Sequence, residues 1–264
     1  MLTVQVPFSS VYGPVQSWRF GRSLGIDAVG PQSVCSFKCV YCQLGQIEHQ
    51  TRKRDVFVST DQILNDLQAF YPWDVDVITL SGSGEPTLAL NLGDILTRIK
   101  AQTDKPIAVL TNGSLLSEDS VRNELAIADH VSIKFDAISA DQLKRTNNPI
   151  DSIAFHEIWI GIRQFRWQYR GTLAIQTMML SPWDDLHQMN YVSLMQTLTP
   201  DEIQLNTLTR PKPLLHSLES RDNHHLTVEY GAKSLKTVAG QDLKDFGDRI
   251  QSATGIPVRY PNLD

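Results

Sequence analysis

"DVDVITLSGSGEPTLALNLGDILTRIKAQTDKPIAVLTNGS", residues 74–114, reads as strand, turn, helix, strand and turn. Its opening part, 74–82, is rich in Val, Ile and Thr and has the length of a buried strand. The glycine-rich turn "SGSGEP" (81–86) follows, and "LNLGDILTRIKAQT" (90–103) then carries apolar residues at the spacing of an amphipathic helix. "KPIAVLTNG" (105–113) returns to strand character. Two strands joined through a helix run parallel with a right-handed crossover.

The same alternation extends in both directions. "SLLSEDSVRNELAIAD" (114–129) predicts a helix, its start marked by Ser117 with Glu118 and Asp119 behind it. "HVSIKFDA" (130–137), "GTLAIQTMML" (171–180) and "DEIQLNTLT" (201–209) predict further strands, and 60–70, 153–168 and 184–198 further helices. Upstream, "LGIDAV" (24–29) is a first strand that leads directly into the cysteines. Six such strands suit an α/β fold, either a partial (β/α) barrel or an open doubly wound sheet. Both place ligands at the carboxyl ends of the strands, where "SGSGEPT", "TNGS" and "FDAIS" fall. Beyond Arg210-Pro211 the pattern weakens to two predicted helices, 226–239 and 241–253, and the extended piece "IPVRYP". The expected organisation is a barrel with its N-terminal segment over 1–213 and a packed helical extension over 214–264.

Composition narrows the classes. The chain has 264 residues, 41% hydrophobic and 20% charged, the balance of an ordinary soluble globular protein. Apolar runs such as "IAVL" (107–110) fall far short of the roughly 20 residues that cross a bilayer. The N-terminal "MLTVQVPFSSVYGP" lacks a basic segment leading into an apolar one, so a cytoplasmic location without a membrane partner is expected. A net charge of −5 leans away from nucleic acid. The local exceptions are "TRKR" (51–54) and "IRQFRWQYR" (162–170).

All three cysteines lie in "CSFKCVYCQLG" (35–45). Three close thiols make a poor disulfide framework and a good metal loop. Structural zinc wants four ligands, and His49 lies near enough in sequence to be the fourth, which would make a zinc-stabilised binding module. A four-iron cluster usually takes four thiolates, so three leave one iron open to an external ligand.

The spacing Cys35-x3-Cys39-x2-Cys42, with Tyr41 before the last cysteine, resembles the signature loop of the radical S-adenosylmethionine superfamily. The resemblance implies a partial (β/α)6 barrel and a [4Fe-4S] cluster on Cys35, Cys39 and Cys42. S-Adenosylmethionine would chelate the open iron and be cleaved to methionine and a 5′-deoxyadenosyl radical that abstracts hydrogen from a substrate. It also implies cofactor contacts from Tyr41 and from Ser81, Gly82, Ser83, Gly84 and Glu85, the last as acceptor for the methionine ammonium. Asn112 and Ser114 sit at the next strand end, and Lys134 and Asp136 at the one after, Lys134 standing where many relatives have serine. Gln176 and Asn206, flanked by aliphatic residues, suit polar positions inside the barrel. No catalytic acid or base is nominated.

"GPVQSWRFGRSLGID", "CVYCQLG", "SGSGEPTL", "AVLTNGSLL" and "LNTLTRP" together are similar to one branch of that superfamily, which includes the wyosine-type tRNA synthetases. Those enzymes use a second cluster that needs three further cysteines, and this chain has none. The expected substrate is therefore a peptide or protein, as in maturation of a ribosomally made peptide. A small substrate-presenting partner and an external one-electron donor would go with it. The alternative is tRNA, if Arg52, Lys53, Arg54, Arg163, Arg166 and Arg170 gather at the barrel mouth with Trp167 and Tyr169.

Overall fold

The computed structural model describes residues 8–216, 218–221 and 231–261. Its strands form one eight-stranded sheet that curls into a half-barrel: β1 (Val11–Ser17), β2 (Gly21–Asp27), β3 (Val77–Ser81), β4 (Ile107–Thr111), β5 (His130–Lys134), β6 (Thr172–Met178), β7 (Glu202–Asn206) and β8 (Val258–Arg259). They lie side by side in chain order. β1 pairs antiparallel with β2, and every later pairing is parallel.

Strict alternation along each strand gives the sheet two unlike faces. Leu24, Ile26, Ile78, Leu80, Ile107, Val109, Val131, Ile133, Leu173, Ile175, Ile203 and Leu205 are fully buried and belong to one core cluster. That face lies under the crossover helices α1 (Thr60–Gln68), α2 (Leu92–Gln102), α3 (Asp119–Leu125), α5 (Phe155–Gln168) and α6 (Asp185–Leu198). In α2, Leu92, Ile95, Leu96 and Ile99 repeat at helical spacing and are all buried. Each such side chain contributes about 1.5–3 kcal/mol on leaving water. The intervening positions are small or polar. Thr79 registers with Ala108, Ser132 with Ala174, and Gln176 with Gln204. This inner face therefore presents polar atoms to the hollow of the half-barrel.

Two sequence expectations are corrected. The helix expected over 114–129 occupies only Asp119–Leu125, and its N-cap is Glu118, without a side-chain cap bond, in place of Ser117. Leu115 and Leu116 are completely buried, so the segment before α3 turns inward to fill the core. Of the helix expected over 226–239, residues 226–230 lie outside the described residues. Its remainder is extended, with Ala232–Lys233 pairing antiparallel to Lys212–Pro213. The helix expected over 241–253 is α7 (Gly240–Thr254), which buries Leu243, Phe246 and Ile250, and the extended "IPVRYP" carries β8, which adds parallel to β7. A short helix, α4 (Ala140–Thr146), and the antiparallel β1 are additions to the expected pattern.

Residues 210–216 and 218–221 form a strap over the cysteine loop and the glycine turn. His216 Nδ1 lies 3.1 Å from the Leu44 carbonyl oxygen. A side chain on Gly45 would sit 2.1 Å from the Leu215 carbonyl oxygen, so only glycine lets the two backbones meet. At the strap's end Arg221 forms a buried pair with Asp27 at 3.0 Å and lies over the rings of Phe8 and Tyr12.

Candidate cluster and cofactor site

The cysteine loop is held at both ends and in its middle. Val34–Cys35 and His49–Gln50 form a two-residue parallel ladder that closes the loop. Val34 also bridges Gly84, and the Glu85 amide donates to its carbonyl at 3.0 Å. A Cβ on Gly84 would lie 1.7 Å from that carbonyl oxygen, which is why the turn after β3 needs glycine there. On the far side Lys38 N donates to Asn147 O at 3.0 Å and Val40 N to Thr146 O at 2.9 Å. The loop thus spans from the end of β3 to the end of α4.

The three cysteines are free thiols. Cys35 Sγ accepts from the Phe37 amide at 3.4 Å and the Asn112 side chain at 3.5 Å, and Cys39 Sγ from the Asn147 side chain at 3.5 Å. Burial raises all three thiols above their ordinary value, Cys39 to about 11. The nearby Lys134 ammonium pulls Cys39 and Cys42 the other way. A thiol in such a place stays protonated until positive charge arrives, and a bound metal supplies that charge.

Behind the loop, polar groups at the ends of β4, β5 and β6 interlock with it. Tyr41 donates to Asp136, which also accepts from Asn147 Nδ2 at 2.6 Å and from the Met178 amide at 2.7 Å. Lys134 donates to the Tyr41 hydroxyl at 3.0 Å. Burial works against the charge of Lys134, but Asp136 and the two thiols outweigh it and raise its pKa. Asn112 Nδ2 donates to Ser36 at 2.9 Å, and Ser36 shares a 2.7 Å hydroxyl bond with Ser114. Gln176 Nε2 and Asn206 Oδ1 are buried with no partner among the described residues, as are Ser132 Oγ and Gln204 Oε1 on the same inner face.

The glycine turn departs from its expected geometry. Glu85 is buried and its carboxylate is already engaged: Oε1 accepts from Thr87 N, Thr87 Oγ1 and Thr111 Oγ1, and Oε2 accepts from Asn112 N at 2.7 Å. Ser83 donates from its amide and its hydroxyl to Asp27, and Ser81 shares a bond with Tyr12. Gly82 has φ +120° and would press a side chain onto Asp27. Asp27, Ser36, Thr111, Asn147 and Arg221 are site residues that sequence reasoning missed. Asp27 left one sign, as the single charge inside an otherwise apolar strand end. The others had none.

The remaining expectations separate. His49 is exposed, and among the described residues no three His, Cys, Asp or Glu side chains are disposed around a single metal ion. The basic residues do not gather in one place: the segment 51–55 runs beside the cysteine loop, with Thr51 N donating to Cys35 O, and the rest lie elsewhere. Arg54 is paired with Glu124 and Arg52 lies 4.0 Å from Glu118. Arg163, Arg166 and Arg170 lie toward the amino ends of the strands, where α5 runs out before β6 and Arg166 pairs with Asp201. Trp167 is exposed beside them, and Tyr169 is buried under the Ala128 carbonyl.

A parallel half-barrel that carries a three-cysteine loop after its first parallel strand, with polar side chains at the strand ends beyond it, defines a class of cluster-dependent enzymes. The chain belongs to the radical SAM superfamily, whose family model matches residues 29–162. It is 52% identical over 255 residues to a UPF0026 protein of Synechocystis sp., covering 96% of each chain. A UPF0026 protein of Methanocaldococcus jannaschii is 33% identical over 206 residues, 76% of this chain and 64% of that one. In fold it is similar to Streptococcus suis SuiB bound to precursor peptide SuiA, at 12% identity and a TM-score of 0.61 over 89% of this chain. The chain spans about half the length of that structure, 48%.

The protein is thus a radical SAM enzyme whose cofactors are a [4Fe-4S] cluster and S-adenosylmethionine. The residues present fit both groups. Three thiols in one loop leave an iron without a protein ligand. Unpartnered buried polar atoms on Ser132, Gln176, Gln204 and Asn206 face the same hollow and suit a polar ligand. Among the described residues no helix is long and apolar enough to cross a membrane.

Proposed function

We propose that this enzyme modifies a peptide or protein in the cytoplasm, with Cys35, Cys39 and Cys42 as cluster ligands. Bound there, the cluster supplies the electron that turns S-adenosylmethionine into a hydrogen-abstracting radical. The chain's own groups position and shield. Asn112 and Asn147 donate to the sulfurs of Cys35 and Cys39 and stabilise their thiolate forms. Lys134, held by Tyr41 and Asp136, offers a cation to the cofactor's carboxylate. Gln176 and Asn206 supply the spare amide atoms for its nucleoside and amino-acid ends. Glu85 acts one step back, holding the backbone of Asn112, so the methionine ammonium is left to the backbone carbonyls of the glycine turn.

The observation that carries the substrate class is a cavity of about 230 Å³ at the carboxyl ends of β5 and β6. Asp136 and Met178 border it on the cofactor side, and Arg145, Trp183 and His187 on the outer side. A mixed lining of aromatic, cationic and amide groups suits an amino-acid side chain. A phosphate backbone would want several unpaired cations at this rim, whereas Arg145 is already paired with Asp141 at 2.7 Å and Arg163, Arg166 and Arg170 lie at the other end of the barrel.

The test is 5′-deoxyadenosine release by anaerobically reconstituted enzyme, with peptides captured on it from lysate and, in parallel, with total tRNA. Stimulation by peptide is expected, with Trp183→Ala raising KM for peptide about tenfold, the loss of one buried aromatic contact. Stimulation by tRNA and none by peptide would reverse the assignment.

A further inference from the structure

The chain's three cysteines are all in one loop, so no second set of thiolates within it can hold a relay cluster. The electron that the chemistry consumes has to enter at that loop from another molecule. A cavity of about 370 Å³ opens against the loop, with Cys39 in its wall and Lys38, Lys212 and Lys233 around it. Lys212 Nζ lies 3.4 Å from the Cys39 carbonyl oxygen. Lys38 and Lys233 are exposed and take part in no ion pair among the described residues. No carboxylate lines this cavity among the described residues. In a chain of net charge −5, three lysines without an ion pair among the described residues collect at the one loop that must accept an electron. Leu214, at 53% exposure, and Leu215, at 58%, add an apolar centre beside them.

We propose that this face docks an acidic one-electron donor protein, its surface carboxylates meeting Lys38 and Lys233 and its redox centre lying against the Cys39 edge of the loop. One electron passes from the donor's reduced flavin or iron–sulfur centre to the oxidised cluster. The donor is oxidised by one electron, the cluster is reduced by one, and no bond is made or broken. Charge pairing at such a rim governs encounter and orientation more than depth of binding. The apolar centre then fixes the docked geometry. The proposal rests on the cluster standing at Cys35, Cys39 and Cys42.

The test uses the reconstituted holoenzyme and reduced flavodoxin as the probe donor. Lys38→Glu and Lys233→Glu, alone and together, are compared with wild type for flavodoxin affinity by calorimetry and for rate of cluster reduction by stopped-flow absorbance. Together they are expected to weaken binding and slow reduction by about tenfold or more at low salt and to flatten the salt dependence. Lys233→Arg keeps wild-type behaviour. Reduction by dithionite, too small to need a docking face, proceeds as in wild type in every variant. Flavodoxin that binds and reduces the double variant as well as wild type overturns the proposal, as do variants that lose tRNA binding and keep the donor. A chain that assembles no reducible cluster even with dithionite ends the cysteine assignment itself, an outcome distinct from loss of the flavodoxin effect alone.

Discussion

Glu85 carries no charge to a substrate, yet it holds two strand ends together. Its four accepted hydrogen bonds tie the turn after β3 to the end of β4, and through Asn112 to the sulfur of Cys35. Glu85→Gln keeps the shape but turns one acceptor into a donor, which then faces the Thr111 hydroxyl or the Asn112 amide. A buried donor without an acceptor costs about 1–3 kcal/mol. The expected result is a loss of that size in urea-unfolding free energy. Burial raises the Glu85 pKa above its ordinary 4.5, and the bonds from Thr111, Asn112 and Thr87 only partly offset it. The folded state therefore holds this proton to higher pH than the unfolded one, so this group's contribution falls as pH rises above 4.5. Thermal melts over an acid-to-neutral series should show that slope in wild type and lose it in the variant. Glu85 stood out in the sequence, but its role did not. Thr111 lies 26 residues away and meets it only because β3 and β4 are neighbours in the sheet. Asn147 reaches Cys39 across 108 residues, a separation no local pattern encodes.

At the scale of elements, α5 shows where propensity loses to packing. Gly161 lies in the middle of this 14-residue helix and is buried. Alanine there would gain about 1 kcal/mol of helix propensity. Its Cβ, however, would sit 2.6 Å from the Leu116 carbonyl carbon and 2.7 Å from the Ser117 nitrogen, both backbone atoms that cannot swing aside. Overpacking of this kind costs about 1–3 kcal/mol, so the clash wins. Gly161→Ala is expected to lower stability in urea unfolding by about 1 kcal/mol or more, against the gain that an exposed helical glycine would give. The same contact explains the misjudged helix start. The stretch 114–129 has helical propensity throughout, but its first turn is spent on seating Leu115 and Leu116 beneath α5. The strands β2 to β7 were legible because a short β-rich apolar run recurs at each of them. β1 was not, because its half-exposed "VYGPVQS" lacks an apolar run and is recruited by pairing with β2.

In the whole molecule, the C-terminal part belongs to the architecture. α7 and β8 continue the βα repeat past β7, and the strap of residues 210–216 and 218–221 lies back over the cysteine loop. The sequence showed only a fading pattern there, because the strap's contacts are backbone meetings and single ions that leave no periodicity. Its anchor is Arg221, whose guanidinium meets Asp27 at side-chain exposures of 9% and 0%. Asp27 also accepts from Gly30 N at 2.8 Å and from the amide and hydroxyl of Ser83, so the strap is coupled to the glycine turn through one carboxylate. Removing one partner of a buried pair costs about 3–5 kcal/mol because the other charge is left in apolar surroundings. Asp27 retains its other donors, which puts Arg221→Met at the low end, about 3 kcal/mol. Asp27→Asn alone should cost a similar amount by stranding the cation between Phe8 and Tyr12. The double variant removes both charges and should lose clearly less than the sum of the two, a coupling of about 1–3 kcal/mol. Urea unfolding of the four proteins measures it, and limited proteolysis locates it: cleavage within 210–221 should quicken in Arg221→Met well before cleavage elsewhere. Simple additivity, with proteolysis spread evenly over the chain, would mean that the strap is held by its backbone contacts alone and that Arg221 is incidental to it.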